Sequence, residues 1–297
     1  MPSPTEITVA QLSRLIGLPG APALIDVRLD SEYRADPRLI PATRRHCSEN
    51  VSRWCNRYMG QSSVVVCQDG GTLSHATAAA LRHEGIDAQA LVGGYGAWRT
   101  EHQPLVRGDR VPHRDGDGQT VWVTRARPKV VRMACPWLIR CFIDPPDQRP
   151  RMCEAGSVGC GSVLDGRKKL PGASQERPSA VFLFVPPAEV AGVAEHAKAA
   201  TFDVDGAFWG DCGERTTFDV MLDEFGLDTE PLAHLALIVR GADTGRLDLT
   251  PQSAGLLAAC LGYSRMYRDD LEQLNAAMAH FDAVYPWARD ATDERHG

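Results

Sequence analysis

Cys67 ends the apolar run Ser63-Val64-Val65-Val66 and opens a glycine-containing loop, Gln68-Asp69-Gly70-Gly71-Thr72-Leu73, that leads through Ser74 into a helical stretch, His75 to Glu84. A buried strand, then a cysteine, then a tight loop opening a helix is a place to make a thiolate. A helix N-terminus carries partial positive charge and unpaired N–H groups, and both favour an anion. This order nominates Cys67 as a nucleophile.

Arginine makes the second concentration of chemistry. Arg125, Arg127, Lys129, Arg132 and Arg140 fall in one short segment, and Arg215, Arg240 and Arg246 accompany Glu214, Asp243 and Asp248 further on. A guanidinium donates planar, fixed hydrogen bonds suited to planar or tetrahedral oxyanions. If Arg125, Arg132, Arg140, Arg215 and Arg240 converge, they form a candidate oxyanion site. The bland reading of any one of them is a solvated or acid-paired side chain.

Metal ligation finds less support. The nine cysteines are Cys47, Cys55, Cys67, Cys135, Cys141, Cys153, Cys160, Cys212 and Cys260, with no C-x-x-C pair. An odd number without an export signal reads as reduced thiols, most of them small core residues. Cys153 and Cys160 are too far apart for a short zinc knuckle. His46, His234 and His280 lack a partner motif. No metal site and no cofactor are expected.

Alternating strand and helix signals position Cys67. Thr8 to Leu18 reads as a short helix, Ala23 to Arg28 as a buried strand, Ser63 to Cys67 as a second strand, and Ala88 to Val92 as a third, closed by Gly93-Gly94. Strands separated by helices imply a parallel sheet covered on both faces. Active groups in such sheets sit at the carboxyl ends of strands, where Cys67 falls. The segment Arg107 to Gln119 reads as a linker, giving domains at 1–107 and 120–297 joined by 108–119.

The second part reads as mainly helical, with some strand. A strand at Thr120-Val121-Trp122-Val123-Thr124 precedes a helix that runs through Ile139 to Ile143, kinked at Pro136. Val181 to Val185 is a strand, and the next helix spans Ala188 to Ala199. Thr216 or Thr217 caps a helix stopping near Gly226, and Pro231 starts one ending at Gly241. Tyr267, Leu271, Leu274, Met278 and Phe281 form one apolar stripe on a final long helix, read as core. The stretch 147–179 shows little periodicity and reads as a surface loop or disorder.

The 297 residues are 43% hydrophobic and 24% charged, values of a globular chain long enough for two cores. A net charge of −6 argues against a bulk nucleic-acid or anionic-membrane binder. No apolar run is long enough to span a bilayer, and Met1 to Glu6 shows no signal-peptide pattern, so a cytoplasmic protein is expected.

The strand end Asp26-Val27-Arg28, Cys67 with its loop, and the turn Gly93-Gly94-Tyr95-Gly96-Ala97-Trp98 together resemble the rhodanese homology domain. The resemblance covers about the first third of the chain and implies an α/β fold. It also implies a nucleophile, Cys67, that holds a sulfane sulfur as a persulfide between a small-molecule donor and a thiol acceptor. Gln68, Asp69, Gly70, Gly71, Thr72, Leu73 and Ser74 would form the cradle. Asp26 and Arg28 would support it, as an ion pair or a brace for the loop. The chain departs from the family in having Asp69 and no basic loop residue, and Ser74 stands seven positions after Cys67, one more than usual. An acidic loop attracts thiosulfate less than a basic one.

Trp122-Val123-Thr124-Arg125, Ala134-Cys135-Pro136-Trp137-Leu138-Ile139-Arg140, Phe182-Leu183-Phe184-Val185-Pro186, Gly213-Glu214-Arg215 and Val239-Arg240-Gly241-Ala242-Asp243-Thr244 look, in this order, like the carboxy-terminal domain of ChrB-type chromate resistance proteins. The segment 147–179 would be an insertion in that pattern. The resemblance implies a link to chromate or another oxyanion. The DNA-binding amino-terminal region of full ChrB regulators is replaced here, which argues against direct DNA regulation. Two readings follow: a rhodanese-type sulfurtransferase associated with chromate or oxyanion resistance, or a non-catalytic chromate or redox-stress sensor in which Cys67 is a switch.

Overall fold

A computed structural model describes residues 3–114, 119–145 and 180–296. The insertion read at 147–179 lies outside them.

The amino-terminal domain is built on five parallel strands: β1 (Glu6–Ile7), β2 (Ala23–Asp26), β4 (Thr43–Arg45), β5 (Ser63–Val66) and β6 (Ala88–Leu91), in the spatial order β1-β6-β5-β2-β4. The central β5 is buried along its whole length. Its side chains alternate between two cores, as strand geometry requires. Val65 joins Ile25, Ala78 and Leu81 on one face, while Val64 and Val66 join Leu24, Leu91 and Trp98 on the other. The helices are α1 (Val9–Ser13), α2 (Asp30–Ala35), α3 (Val51–Trp54), α4 (Thr72–His83) and α5 (Gly94–Thr100).

Helix α1 is shorter than the expected Thr8 to Leu18. Thr8 and Gln11 form a capping box at its start, but the chain then turns through Gly17 at φ +80°. A Cβ at Gly17 would collide with the rings of Phe142 and Tyr285, so this turn is packed directly under the second domain.

A small antiparallel ribbon links the domains. Strand β3 (Arg38–Leu39) pairs with β7 (Val106–Arg107), and Gly108–Arg110 adds a 3-10 turn. The first part of the stretch read as a linker is therefore folded structure. Gly108 N–H donates to Pro37 O at 3.2 Å, and Arg110 lies 3.8 Å from Glu224 in the second domain.

The carboxy-terminal domain is mostly helical around a three-stranded parallel sheet. The strands are β8 (Thr120–Arg125), β9 (Ala180–Val185) and β10 (Ala200–Thr201), in the order β10-β8-β9. Helix α6 (Val130–Leu138) has every residue buried and passes through Pro136 into a π turn, Ile139–Ile143, closed by Asp144 N–H donating to Ile139 O at 2.7 Å. The irregularity expected at Pro136 is thus taken up in the following turn. Helices α7 (Val190–Ala197), α8 (Thr217–Phe225), α9 (Glu230–Thr244), α10 (Gln252–Met266) and α11 (Asp270–His296) complete the domain.

Thr216 caps α8 through a capping box with Asp219, and Gly226 ends it at φ +73°. Helix α9 runs past the expected stop at Gly241 to Gly245, which takes the left-handed conformation. Gly241 is needed for close packing, because a Cβ there would meet Arg246 O at 2.9 Å and Ser253 Oγ. Helix α10 went unrecognised in the sequence, since it buries only Ser253, Leu256 and Cys260 and carries two glycines, Gly255 and Gly262. The stripe expected on the last helix holds at Leu274, Met278 and Phe281, which lie in or against the core, but not at its first two residues. Tyr267 precedes α11 and Leu271 is 40% exposed, whereas Leu274, Ala277, Phe281, Tyr285 and Ala288 face inward. The inward face is set against Trp137 and Phe142, on which Phe281 and Tyr285 pack.

The two domains share a contiguous apolar core in which Ile16, Trp98 and Leu105 meet Phe142, Phe225 and Tyr285. Ala42 N–H donates to Phe142 O at 2.7 Å, and the buried Asp144 accepts Thr120 Oγ1 at 2.6 Å and an Arg114 nitrogen at 2.5 Å, with Arg44 at 3.6 Å. Among the described residues no helix is long and apolar enough to cross a membrane.

Candidate functional site

Cys67 lies one residue past the carboxyl end of β5, buried at 1% exposure. Its neighbours in sequence form an arc that returns to α4. The Cys67 thiol donates to Ser74 Oγ at 3.2 Å and approaches Asp69 Oδ1 at 3.4 Å. Ser74 Oγ in turn donates to Gly71 O at 3.1 Å, and Gly71 N–H donates to Asp69 Oδ1 at 2.9 Å. The helix begins at Thr72, three residues before the expected start, so Ser74 belongs to its first turn. Gly71 is the cap residue and offers no side-chain cap. Asp69 carries the only charge within the loop. The Gly71 N–H, and then the Cys67 thiol, hold its carboxyl below the usual carboxylate range.

The glycine turn after β6 locks onto this arc. Tyr95 N–H donates to Cys67 O and Gly96 N–H to Gln68 O, each at 2.9 Å. Gly70, Gly93 and Gly94 all have positive φ. A Cβ on Gly94 would strike Cys67 O, and one on Gly70 would strike Gly93 N. Two turns pressed backbone to backbone leave room for hydrogen only. Gln68 O accepts Gly96 N–H, Gly70 presses on the Gly93 backbone, Thr72 opens α4, and Leu73 packs its side chain against the core around Ile25 and Val65.

Asp26 and Arg28 form a buried ion pair at 2.7 Å, one strand away from Cys67. Arg28 N–H also donates to Asp26 Oδ1 at 2.8 Å, and the guanidinium reaches the carbonyls of Asp36 and Arg38. The Tyr95 ring lies 3.8 Å from the Arg28 guanidinium carbon. Arg28 therefore ties the strand end to the same turn that holds the Cys67 carbonyl. Tyr95 was missed as a site residue, and the signal was its place inside the Gly93-Gly94-x-x-x-Trp98 string.

His46 stacks on Trp54 at 4.5 Å and shares a 2.7 Å hydrogen bond with Tyr58 Oη. Burial, then the charges of Arg44, Arg57 and Arg114, push its pKa down to about 3, so the ring is neutral.

The five candidate arginines of the second domain divide into separate settings. Arg132 Nε lies 3.1 Å from Asp203 and Arg125 lies 3.4 Å from the same carboxylate. Arg240 makes a two-pronged contact with Asp219, at 2.6 and 3.1 Å. Arg215 bonds Asp223 at 2.5 Å and Asp219 O at 3.0 Å. Arg140 meets Asn275 at 3.4 Å and the Phe182 ring at 5.0 Å. Thr217 Oγ1 donates to Asp211 at 2.9 Å and lies 3.4 Å from Asp203, joining the Asp203 and Asp219 groups through consecutive residues. Asp203 and Asp219, the acids that organise this layer, were missed in the sequence because each stands far along the chain from its arginine. Among the described residues, no group of His, Cys, Asp and Glu is placed to hold a metal ion.

Comparison with known proteins follows the same division. Residues 8–101 match the family described as "Rhodanese-like domain", and residues 122–149 and 177–288 match "ChrB, C-terminal domain". Protein ChrB of Cupriavidus metallidurans is 28% identical over 165 residues, which are 55% of this chain and 39% of that protein. The chain thus spans well under half the length of that relative. Among solved structures, a rhodanese-related protein from Thermoplasma volcanium is 23% identical, with 34% of this chain and 97% of that chain covered and a TM-score of 0.31. A rhodanese-like domain protein from Staphylococcus aureus is 26% identical, covering 31% and 89%, with a TM-score of 0.29. A thiosulfate sulfurtransferase from Pseudomonas aeruginosa is 22% identical, covering 37% and 20%, with a TM-score of 0.32. The chain thus carries a match to a rhodanese-like domain over residues 8–101 and a match to a ChrB C-terminal domain over residues 122–149 and 177–288.

Proposed function

We propose that the chain is a rhodanese-type sulfurtransferase that carries sulfane sulfur as a persulfide on Cys67 and serves chromate or oxyanion resistance. The observation that carries this reading is the placement of Cys67. It stands at the carboxyl end of the central strand, in an arc closed by the Gly93-Gly94 turn, with its sulfur beside the first turn of α4. That turn offers N–H groups and partial positive charge to a sulfur anion. In the first half-reaction the Cys67 sulfur bonds to the donor's transferable sulfur, and the donor's bond to that sulfur, S–S in thiosulfate or polysulfide and C–S in 3-mercaptopyruvate, breaks with its electron pair leaving on the donor. In the second, a thiol acceptor takes the outer sulfur and Cys67 is released.

Incubation with thiosulfate, 3-mercaptopyruvate or polysulfide followed by intact mass measurement tests the reading. A sulfur adduct that is absent in Cys67→Ala supports it, and no adduct with any donor sinks it.

One observation favours a rival. Cys67 is almost fully buried, and its thiol is already bonded within the arc. A non-catalytic chromate or redox-stress sensor would use such a thiol as a switch that reacts once. Repeated sulfur transfer to an added thiol distinguishes the enzyme from the switch.

In the second domain, an oxyanion reaching Arg132 or Arg240 would have to replace Asp203 or Asp219. Calorimetry with chromate and sulfate decides whether it does. Heat that is lost in Arg132→Ala or Arg240→Ala places a site there, and no heat with either anion removes the oxyanion idea for these arginines.

A further inference from the structure

We infer that Asp69 sets the donor class at Cys67, favouring a slender sulfane-sulfur donor with a positive charge beside its sulfur chain, a short aminothiol hydropersulfide, over the dianion thiosulfate. This rests on the persulfide reading of Cys67.

Three observations carry it. The Asp69 carboxylate is fixed toward the reacting sulfur, since the same Oδ1 lies 3.4 Å from Cys67 Sγ and accepts Gly71 N–H at 2.9 Å. It is also exposed, so a donor approaching the arc meets it. Nothing in the arc offsets it. Residues 67–74 contain no Lys or Arg, and the adjacent His75 points its Nε2 to Glu6 at 3.4 Å. The Gly71 N–H keeps this carboxyl acidic, so it is charged at neutral pH.

A donor dianion at the sulfur would share the arc with this carboxylate. An ammonium two carbons from the donor sulfur would instead face it. The low exposure of Cys67 adds the requirement for an unbranched chain. The step balances without an outside oxidant. The Cys67 thiol gives its proton to solvent base, and its sulfur bonds to the donor's terminal sulfur. The donor's S–S bond breaks, and the bonding pair leaves on the inner sulfur, which is protonated by solvent. Cys67–SH and R–S–SH become Cys67–S–SH and R–SH.

The test uses the full chain with hydropersulfides of matched length made from cysteamine, 2-mercaptoethanol and 3-mercaptopropionate, with thiosulfate as the fourth donor. The rate of sulfur loading on Cys67 is read by intact mass at low ionic strength. The expected order is ammonium, then hydroxyl, then carboxylate, with roughly fivefold between steps, shrinking as salt is added. Asp69→Asn keeps an oxygen for Gly71 N–H and should compress the order to near unity. Asp69→Lys should reverse it and raise the thiosulfate rate. A flat order in the natural protein, or the same order and span in Asp69→Asn, overturns the inference while leaving the persulfide intact. No adduct with any of the four donors overturns the persulfide reading, and this inference with it.

Discussion

The Cys67 thiol donates to Ser74 Oγ at 3.2 Å, joining the end of the central strand to the first turn of α4. Ser74 is itself fully buried and donates onward to Gly71 O. Ser74→Ala removes both bonds and leaves the thiol facing an apolar methyl. We expect about tenfold slower sulfur loading on Cys67 and a stability loss of about 2 kcal/mol, roughly 1 kcal/mol for each of the two hydrogen bonds. Loading kinetics by mass and urea unfolding of the same variant check the two parts separately.

Gly94→Ala tests the interlock between the two turns. Gly94 sits at φ +56°, and its added Cβ would strike the Cys67 carbonyl. Neither turn can give way without breaking the 2.9 Å bonds from Tyr95 and Gly96. The expected cost is about 3 kcal/mol or more, with loading on Cys67 lost even where the variant remains folded. Gly85→Ala is the control for positive φ alone, since nothing lies near its Cβ position. An equal cost for both variants would remove the close approach from the account.

These two glycine turns show how much was legible in the sequence. Cys67, the strand before it and the Gly93-Gly94 string could be read because each is local: an apolar run, a turn, a helix start. The contacts between them could not, because they join turns separated by a whole strand and helix. The same holds in the second domain. The arginines were visible as a cluster, but Asp203 and Asp219 acquire meaning only when β10, α8 and α9 come together. The stripe on α11 was legible at Leu274, Met278 and Phe281, but its extension to Tyr285 depends on Trp137 and Phe142, which lie far earlier in the chain.

Asp203 should give the protein an unusual response to acid. Burial, opposed by Arg132 and Arg125, pushes its pKa up to about 6 from 3.8. The folded state therefore holds this proton more tightly than the unfolded one. Its contribution to stability is fully present below the unfolded value and is lost as pH rises through the folded one. The change is roughly 3 kcal/mol between pH 4 and 6. Urea unfolding across that range should show this downward slope removed in Asp203→Asn; an unchanged slope contradicts the burial of a charged Asp203.

His46 acts with the opposite sign. Its folded pKa near 3 lies below the ordinary 6.5, so the unfolded chain binds the proton first. Stability from this group is full above pH 6.5 and declines on acidification toward pH 3, by about 1.4 kcal/mol per pH unit. His46→Gln keeps a polar partner for Tyr58 and should flatten the acid side of the stability curve. An unaltered acid limb would mean that the ring is not held neutral against Trp54.

Whether Cys67 carries sulfur is read directly by intact mass after exposure to a sulfane donor. The predicted result is the gain of one sulfur atom in the natural protein, its removal by an added thiol, and its absence in Cys67→Ala. A natural protein whose mass is unchanged by every donor, or a Cys67→Ala variant that still gains the sulfur, contradicts it.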